Sequence, residues 1–156
     1  MALAVIQATT AEMEKNETLF SYIIFGLDQT PYITRTLLPR VGDQRPLLHR
    51  IHRPDYDPYH HNHPWKTAQF TILSGGYTEQ RLVDGAIVER VLRVGDVNQL
   101  DADTFHHVSA VEPNTWTFGI VGERVQDWGF LVDGEFVVYT EYFKRKNHIV
   151  TFGGKS

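Results

Sequence analysis

The spacing of apolar and polar positions changes character near residue 30. Ahead of it, Met13, Phe20, Ile23 and Ile24 recur at helical spacing, and Thr9 followed three positions later by Glu12 has the form of a capping box. With Gly26 as a stop, this predicts one amphipathic N-terminal helix over about residues 9–26. From "PYITRTLLP" onward the chain breaks into short runs rich in Val, Ile, Thr, Tyr and Phe. They are parted by the turn signals "VGDQRP", "SGG", "VDG", "VGD", "EPNT" and "VGE". That rhythm predicts an all-β domain of short antiparallel strands over about residues 31–143, as a sandwich or a small barrel. The tail, 144–156, opens on the basic "KRK" as a solvated end, and "HIVTF" could add an edge strand. No repeat, linker or low-complexity stretch divides the chain, so its 156 residues are expected to form a single domain.

Charge narrows the partners. Fifteen Lys and Arg against nineteen Asp and Glu give a net charge of −4, without the basic field that a nucleic-acid backbone or an anionic membrane requires. A small-molecule partner is expected instead. The opening residues have no basic segment followed by an apolar one, and no apolar run reaches 18 residues, which points to a soluble, cytoplasmic protein. The chain has no cysteine, so any metal must be held by nitrogen and oxygen.

Nitrogen donors are concentrated. Three of the eight histidines fall in "HHNHPW", residues 60–65, and His106 and His107 follow some forty positions later. His61 and His63 are two apart, so in an extended segment both leave on one face, and Pro64 biases His63 toward extended geometry. His60 points the other way and reads as a loop histidine. His106 follows a turn at Gly95 and Asp96, a strand and a second turn, and a third ligand could come from there.

These residues resemble the two motifs of the cupin superfamily. The second motif, a glycine, five residues, proline, any residue, glycine, two residues and histidine, is met by Gly95 and His106, with Asp101 and Asp103 in place of proline and glycine. The first is met by His61, His63 and the closing Gly75, but its glutamate is missing: Thr67, Ala68 and Gln69 occupy that neighbourhood. The stretches "YITRTLLPR", "LLHRIHRPDYDPYHHNHPW", "TILSGGYTE" and "DWGF" are similar to an uncharacterised group of small bacterial and phage cupins, over roughly residues 32–143. The resemblance implies a small antiparallel jelly-roll barrel with one metal ion held by His61, His63 and His106. Three imidazoles suit Fe²⁺, Zn²⁺, Ni²⁺ or Cu²⁺. Fe²⁺ is the first expectation, by analogy with three-histidine cupin dioxygenases.

Other side chains are weighed in that frame. Arg35 stands where cupin thiol dioxygenases place a carboxylate-binding arginine; its ordinary reading is a surface arginine paired with an aspartate. Those enzymes' thioether cysteine and the tyrosine beyond the histidine are absent, with Glu123 and Arg124 in the tyrosine's place, so cysteine is not expected as substrate. In "HRIHRPD" alternation puts His49, Ile51 and Arg53 on one face and Leu48, Arg50 and His52 on the other, so Arg53 could line the barrel mouth, or it pairs with Asp55 or Asp57. Trp65, two residues past His63, is expected to wall the pocket and contact substrate. Gln69 and Glu79 are oxygen donors that could bond the second nitrogen of a ligand histidine or coordinate the metal directly, and Glu79 reads equally as a solvated strand position. The function expected is an O₂-dependent oxygenase acting on a small anionic substrate. The alternatives are a redox-neutral metal-dependent lyase, isomerase or hydrolase, and a non-catalytic small-molecule-binding cupin. A homodimer formed through a sheet edge is expected.

Overall fold

The computed structural model describes residues 19–26 and 28–146. Among these residues eleven strands run in chain order: β1 Phe20–Phe25, β2 Pro31–Leu37, β3 Arg45–Ile51, β4 Thr67–Ser74, β5 Gly76–Val83 and β6 Ala86–Arg93, then β7 Val97–Asp101, β8 His106–Val111, β9 Thr115–Val121, β10 Gly129–Val132 and β11 Glu135–Val138. One helix, α1 Tyr139–Arg145, follows them.

Every paired strand is antiparallel. Six form one sheet in the order β1-β2-β3-β9-β4-β7. Opposite it lies β6-β5-β8, which His61 extends: its backbone exchanges hydrogen bonds with His106 on β8 (2.8 and 2.9 Å) and it bridges Phe130 on β10, bringing in the β10-β11 hairpin. This is the antiparallel jelly-roll barrel that the cupin resemblance implies, and one of the two forms that the turn rhythm allows. Two of the "VDG" signals make two-residue hairpins, with Asp84 and Gly85 (φ 49° and 79°) between β5 and β6, and Asp133 and Gly134 (φ 52° and 85°) between β10 and β11. Positive φ at both central residues suits the right-handed strand twist, and Asp-Gly tolerates it.

Inward positions alternate as the pleat demands. Arg45, Leu47 and His49 on β3, Ala68, Phe70 and Ile72 on β4, and Asn98 and Leu100 on β7 are all buried. Leu47, Ala68, Phe70, Leu100 and Val121 pack as one apolar cluster, each large side chain contributing about 1.5–3 kcal/mol by leaving water. Gly119 makes room for it, since a Cβ there would stand 2.5 Å from the Phe70 ring and 2.8 Å from Leu47.

The chain termini depart from expectation. Residues 20–25 of the predicted helix form β1, which pairs with β2 from Phe20↔Leu37 onward. "FSYIIF" is aromatic and β-branched, and its apolar positions satisfy an alternating pattern as readily as a helical one once β2 offers backbone partners. The capping box at Thr9 and Glu12 and the "HIVTF" segment lie outside the described residues. The helix that the described residues do contain lies at the other end, partly in the stretch read as a tail. Its Tyr142 and Phe143 are buried against Phe130 and Val137, and Tyr142 donates to buried Asp57 at 2.7 Å while Lys146 pairs with the same carboxylate. No helix among the described residues is long and apolar enough to cross a membrane.

Candidate metal centre

The loop that carries "HHNHPW" is pinned by its asparagine. Asn62 is buried, its amide donates to the Ala102 carbonyl at 3.1 Å, and its oxygen accepts from Gly129 N–H at 2.8 Å. With Asn62 turned away, His61 and His63 leave on the other side, toward His106 at the start of β8. The ring centroids form a near-equilateral triangle: 5.1 Å for 61–63, 4.7 Å for 61–106 and 5.0 Å for 63–106. One nitrogen from each lies within 4.8 Å of the other two.

This donor set fits a divalent ion. His63 Nε2 and His106 Nε2 are 2.9 Å apart, and two ligands at about 2.0–2.1 Å from an ion, at right angles, stand about 2.9 Å from each other. Burial holds His61 down to about 4, only partly offset by Asp55, and burial together with the neighbouring imidazoles holds His63 well below the usual histidine range. Both rings are therefore neutral near pH 7, as a ligand must be.

Carboxylates stand behind two of the three rings. Glu79, on β5 and with 0% of its surface exposed, accepts from His106 Nδ1 at 2.7 Å, so Nε2 carries the lone pair and faces the triangle. Despite burial, the carboxyl is held at about 2, because His106, Asn98 and Arg81 surround the anion. Behind His61, Asp55 Oδ2 stands 3.6 Å from Nδ1 and equally far from His107 Nδ1, and Asp55 also accepts from Tyr32 hydroxyl and from Val108 N–H.

The triangle opens onto a cavity of about 80 Å³, room for a few waters or one small molecule. Apolar walls come from Ile33, Ile51, Phe70, Leu100 and Val108, and polar ones from Tyr32, Arg35, His49 and Thr117. Trp65 stacks on His63 at 5.2 Å with 14° between the planes, and the Arg35 guanidinium lies over the Trp65 ring at 5.9 Å. Arg35 is itself aimed by two bonds, from Nε to His49 Nε2 at 2.8 Å and from Nη1 to Tyr22 hydroxyl at 3.2 Å.

The structure thus brings His61, His63, His106, Arg35, Trp65 and Glu79 together. Two expected residues are elsewhere. Arg53 does not line the cavity; it pairs with Asp28 at 3.1 Å and lies over the Tyr32 and Tyr56 rings. Strand β3 ends at Ile51, so the alternation that placed Arg53 with His49 has stopped, while Asp55 and Asp57 are engaged by other partners. Gln69 is exposed, because on β4 the inward neighbours are Ala68 and Phe70. His60 and His107 stay outside the triangle and face each other at 6.1 Å. Sequence reasoning did not find the parts played by Asn62, Asp55, His49 or Asn98. For His49 the inward alternation of β3 was a usable signal; for the others the contacts join distant segments and leave no local pattern.

No family model and no curated protein matches the chain. Solved structures do match. A Ralstonia eutropha JMP134 protein with the provisional name mannose-6-phosphate isomerase superposes with a TM-score of 0.52 at 17% identity, over 70% of this chain and 98% of that one. The fold is that of a cupin. Hydroxypropylphosphonic acid epoxidase from S. wedmorenis gives 0.49 at 16% identity, over 66% of this chain and 55% of that one, and KdgF from Halomonas sp. gives 0.46 at 18%, over 61% and 83%. The chain spans about half the length of the epoxidase structures it matches. At these identities the cupin likeness is one of fold, and the chemistry has to be argued from the histidine triangle and its cavity.

Proposed function

We propose that this cupin holds one Fe²⁺ ion on His61, His63 and His106 and is an O₂-dependent oxygenase for a small anionic substrate. The observation that carries the reading is the triangle of imidazoles, His106 buried and His61 and His63 partly so, two of them backed by carboxylates, opening on one side into a cavity. Bound iron would supply adjacent open positions for substrate and O₂ and would pass electrons from the substrate to O₂. The remaining work falls to the chain. Three neutral ligands leave the ion's charge uncompensated, which favours an anion beside it. Arg35, held by His49 and Tyr22, presents a guanidinium to a substrate carboxylate, and losing a charge-assisted bond of that kind costs about 1.5–3 kcal/mol of binding. Trp65 fixes the His63 ring by stacking, and Ile33, Ile51, Phe70 and Val108 keep bulk water out.

Nitric oxide is the test, because it probes open positions on ferrous iron without knowledge of the substrate. Iron-reconstituted protein should give a nitrosyl spectrum, and alanine at His61, His63 or His106 should abolish iron uptake while His60→Ala retains it. A ferrous protein without a nitrosyl signal, or native protein that carries only zinc and acts without O₂, would replace the oxygenase with a redox-neutral Lewis-acid enzyme.

A further inference from the structure

Behind His106 lies a charge cluster larger than one hydrogen bond to a ligand requires, and its Asn98 and Tyr77 reach the cavity wall. Glu79 Oε1 accepts from His106 Nδ1 at 2.7 Å, from Asn98 Nδ2 at 2.8 Å and from Arg81 Nη2 at 3.4 Å. Its Oε2 stands 3.3 Å from Arg81 Nη2 and 3.1 Å from Arg90 Nη2. Both guanidiniums also donate to Asn98 Oδ1, each at 2.7 Å, and Asn98 Nδ2 donates to Tyr77 hydroxyl at 2.9 Å. The cluster spans the barrel: Glu79 and Arg81 are on β5, Arg90 is on β6, and Asn98 is on β7, the edge strand of the opposite sheet.

We propose that Arg81 and Arg90, with Asn98 between them, are positioning residues of the metal centre: they hold the Glu79 carboxylate in one place, so that it turns His106 Nε2 toward His61 and His63. The inference rests on the metal reading above. A glutamate side chain has enough rotatable bonds that one hydrogen bond to an imidazole does not fix it. An amide on its first oxygen, and two guanidinium nitrogens that each donate to Asn98 Oδ1 and stand 3.1 and 3.3 Å from its second, do fix it. Charge alone argues against any other contribution to metal binding, since two guanidiniums against one carboxylate leave an excess positive charge near a cation. Such a pair is explained by geometry, or else by stapling of the two sheet edges and nothing more.

The sign of the effect separates these readings. Cobalt(II) is titrated into the metal-free full-length protein, its visible absorption is recorded, and its dissociation constant is measured by competition with a chelator. Arg81→Lys and Arg90→Lys keep the charge and lose the planar guanidinium whose Nη2 stands between Asn98 Oδ1 and Glu79. Each should weaken Co²⁺ binding about tenfold, and the double variant up to about a hundredfold, with an altered ligand-field spectrum. Arg90→Met should weaken binding too, although it removes a repelling charge. Thermal melts of the same metal-free samples show that the variants are folded, and Arg90, whose side chain is 39% exposed, is well placed to accept the change. Lysine variants with wild-type affinity and spectrum, or an Arg90→Met protein that binds Co²⁺ more tightly, would reduce the cluster to a sheet staple. The metal reading has its own control: if wild type and His63→Ala bind Co²⁺ alike, the centre itself is refuted and the positioning role goes with it.

Discussion

Replacing Glu79 by glutamine changes one buried charge and almost no volume, and its cost should depend on pH in a defined way. The carboxyl is held at about 2 against an ordinary 4.5, and a shift of that size corresponds to about 3 kcal/mol of folding stability. The folded value is the depressed one. The stabilisation is therefore fully present above pH 4.5 and is lost as the pH falls toward 2. Breaking a buried pair by removing one partner costs a similar amount, about 3–5 kcal/mol, because Arg81 and Arg90 are left facing each other without their anion. Urea denaturation of metal-free wild type and Glu79→Gln, from pH 7 down to pH 2.5, measures the gap directly. It should be about 3 kcal/mol and flat above pH 5, then close as the pH is lowered. Acid also destabilises the fold through the partly buried His61 and His63, whose lowered values let the unfolded chain take protons first. That contribution is common to both proteins and largely drops out of the difference. A gap below 1 kcal/mol at pH 7, or one that stays constant down to pH 2.5, would refute the argument.

Two further substitutions probe the frame around the centre. Gly75 has φ +64°, and a Cβ there would stand 2.4 Å from Thr115 Oγ1 and 2.9 Å from Thr115 Cα; Gly75→Ala should cost more than about 1–2 kcal/mol, read as a lower melting temperature. Phe143 packs on Trp128 and Phe130, which flank His61, so Phe143→Ala should lose about 3–5 kcal/mol in urea denaturation and weaken Co²⁺ binding as well, whereas stability within 1 kcal/mol of wild type would show that α1 is not a structural support for the centre.

The residues that were legible in the sequence are those whose spacing carries their role. Same-face spacing placed His61 with His63, and the turn chemistry of Asp84-Gly85 and Asp133-Gly134 marked two hairpins. Residues 20–25 were misread because apolar positions at 20, 23 and 24 occur on a helix face and in a strand with a hydrophobic partner alike; the backbone pairing with β2 decides, and the periodicity of 20–25 does not carry it. Arg53 was misread for the opposite reason: the alternation was extended past Ile51, where the strand had already ended. The charge cluster at Glu79 is illegible from spacing, since Asn98 reaches it from another sheet and Arg90 arrives through the β5–β6 register Glu79↔Arg90.

The missing first-motif glutamate acquires a different meaning once the carboxylates are located. A glutamate near residue 69 would have placed an anionic oxygen beside the imidazoles, yet Gln69 faces outward and the negative charge lies one bond further back, at Glu79 behind His106 and at Asp55 near His61. A carboxylate in that position strengthens the imidazole as a donor and fixes its orientation without occupying a coordination position. The ion would then keep its open side and its attraction for an anionic ligand, while the buried rings keep a fixed direction. Arg81 and Arg90 extend the same logic outward: each group is held by the next, from the sheet edge to Glu79, from Glu79 to His106, and from His106 to the triangle.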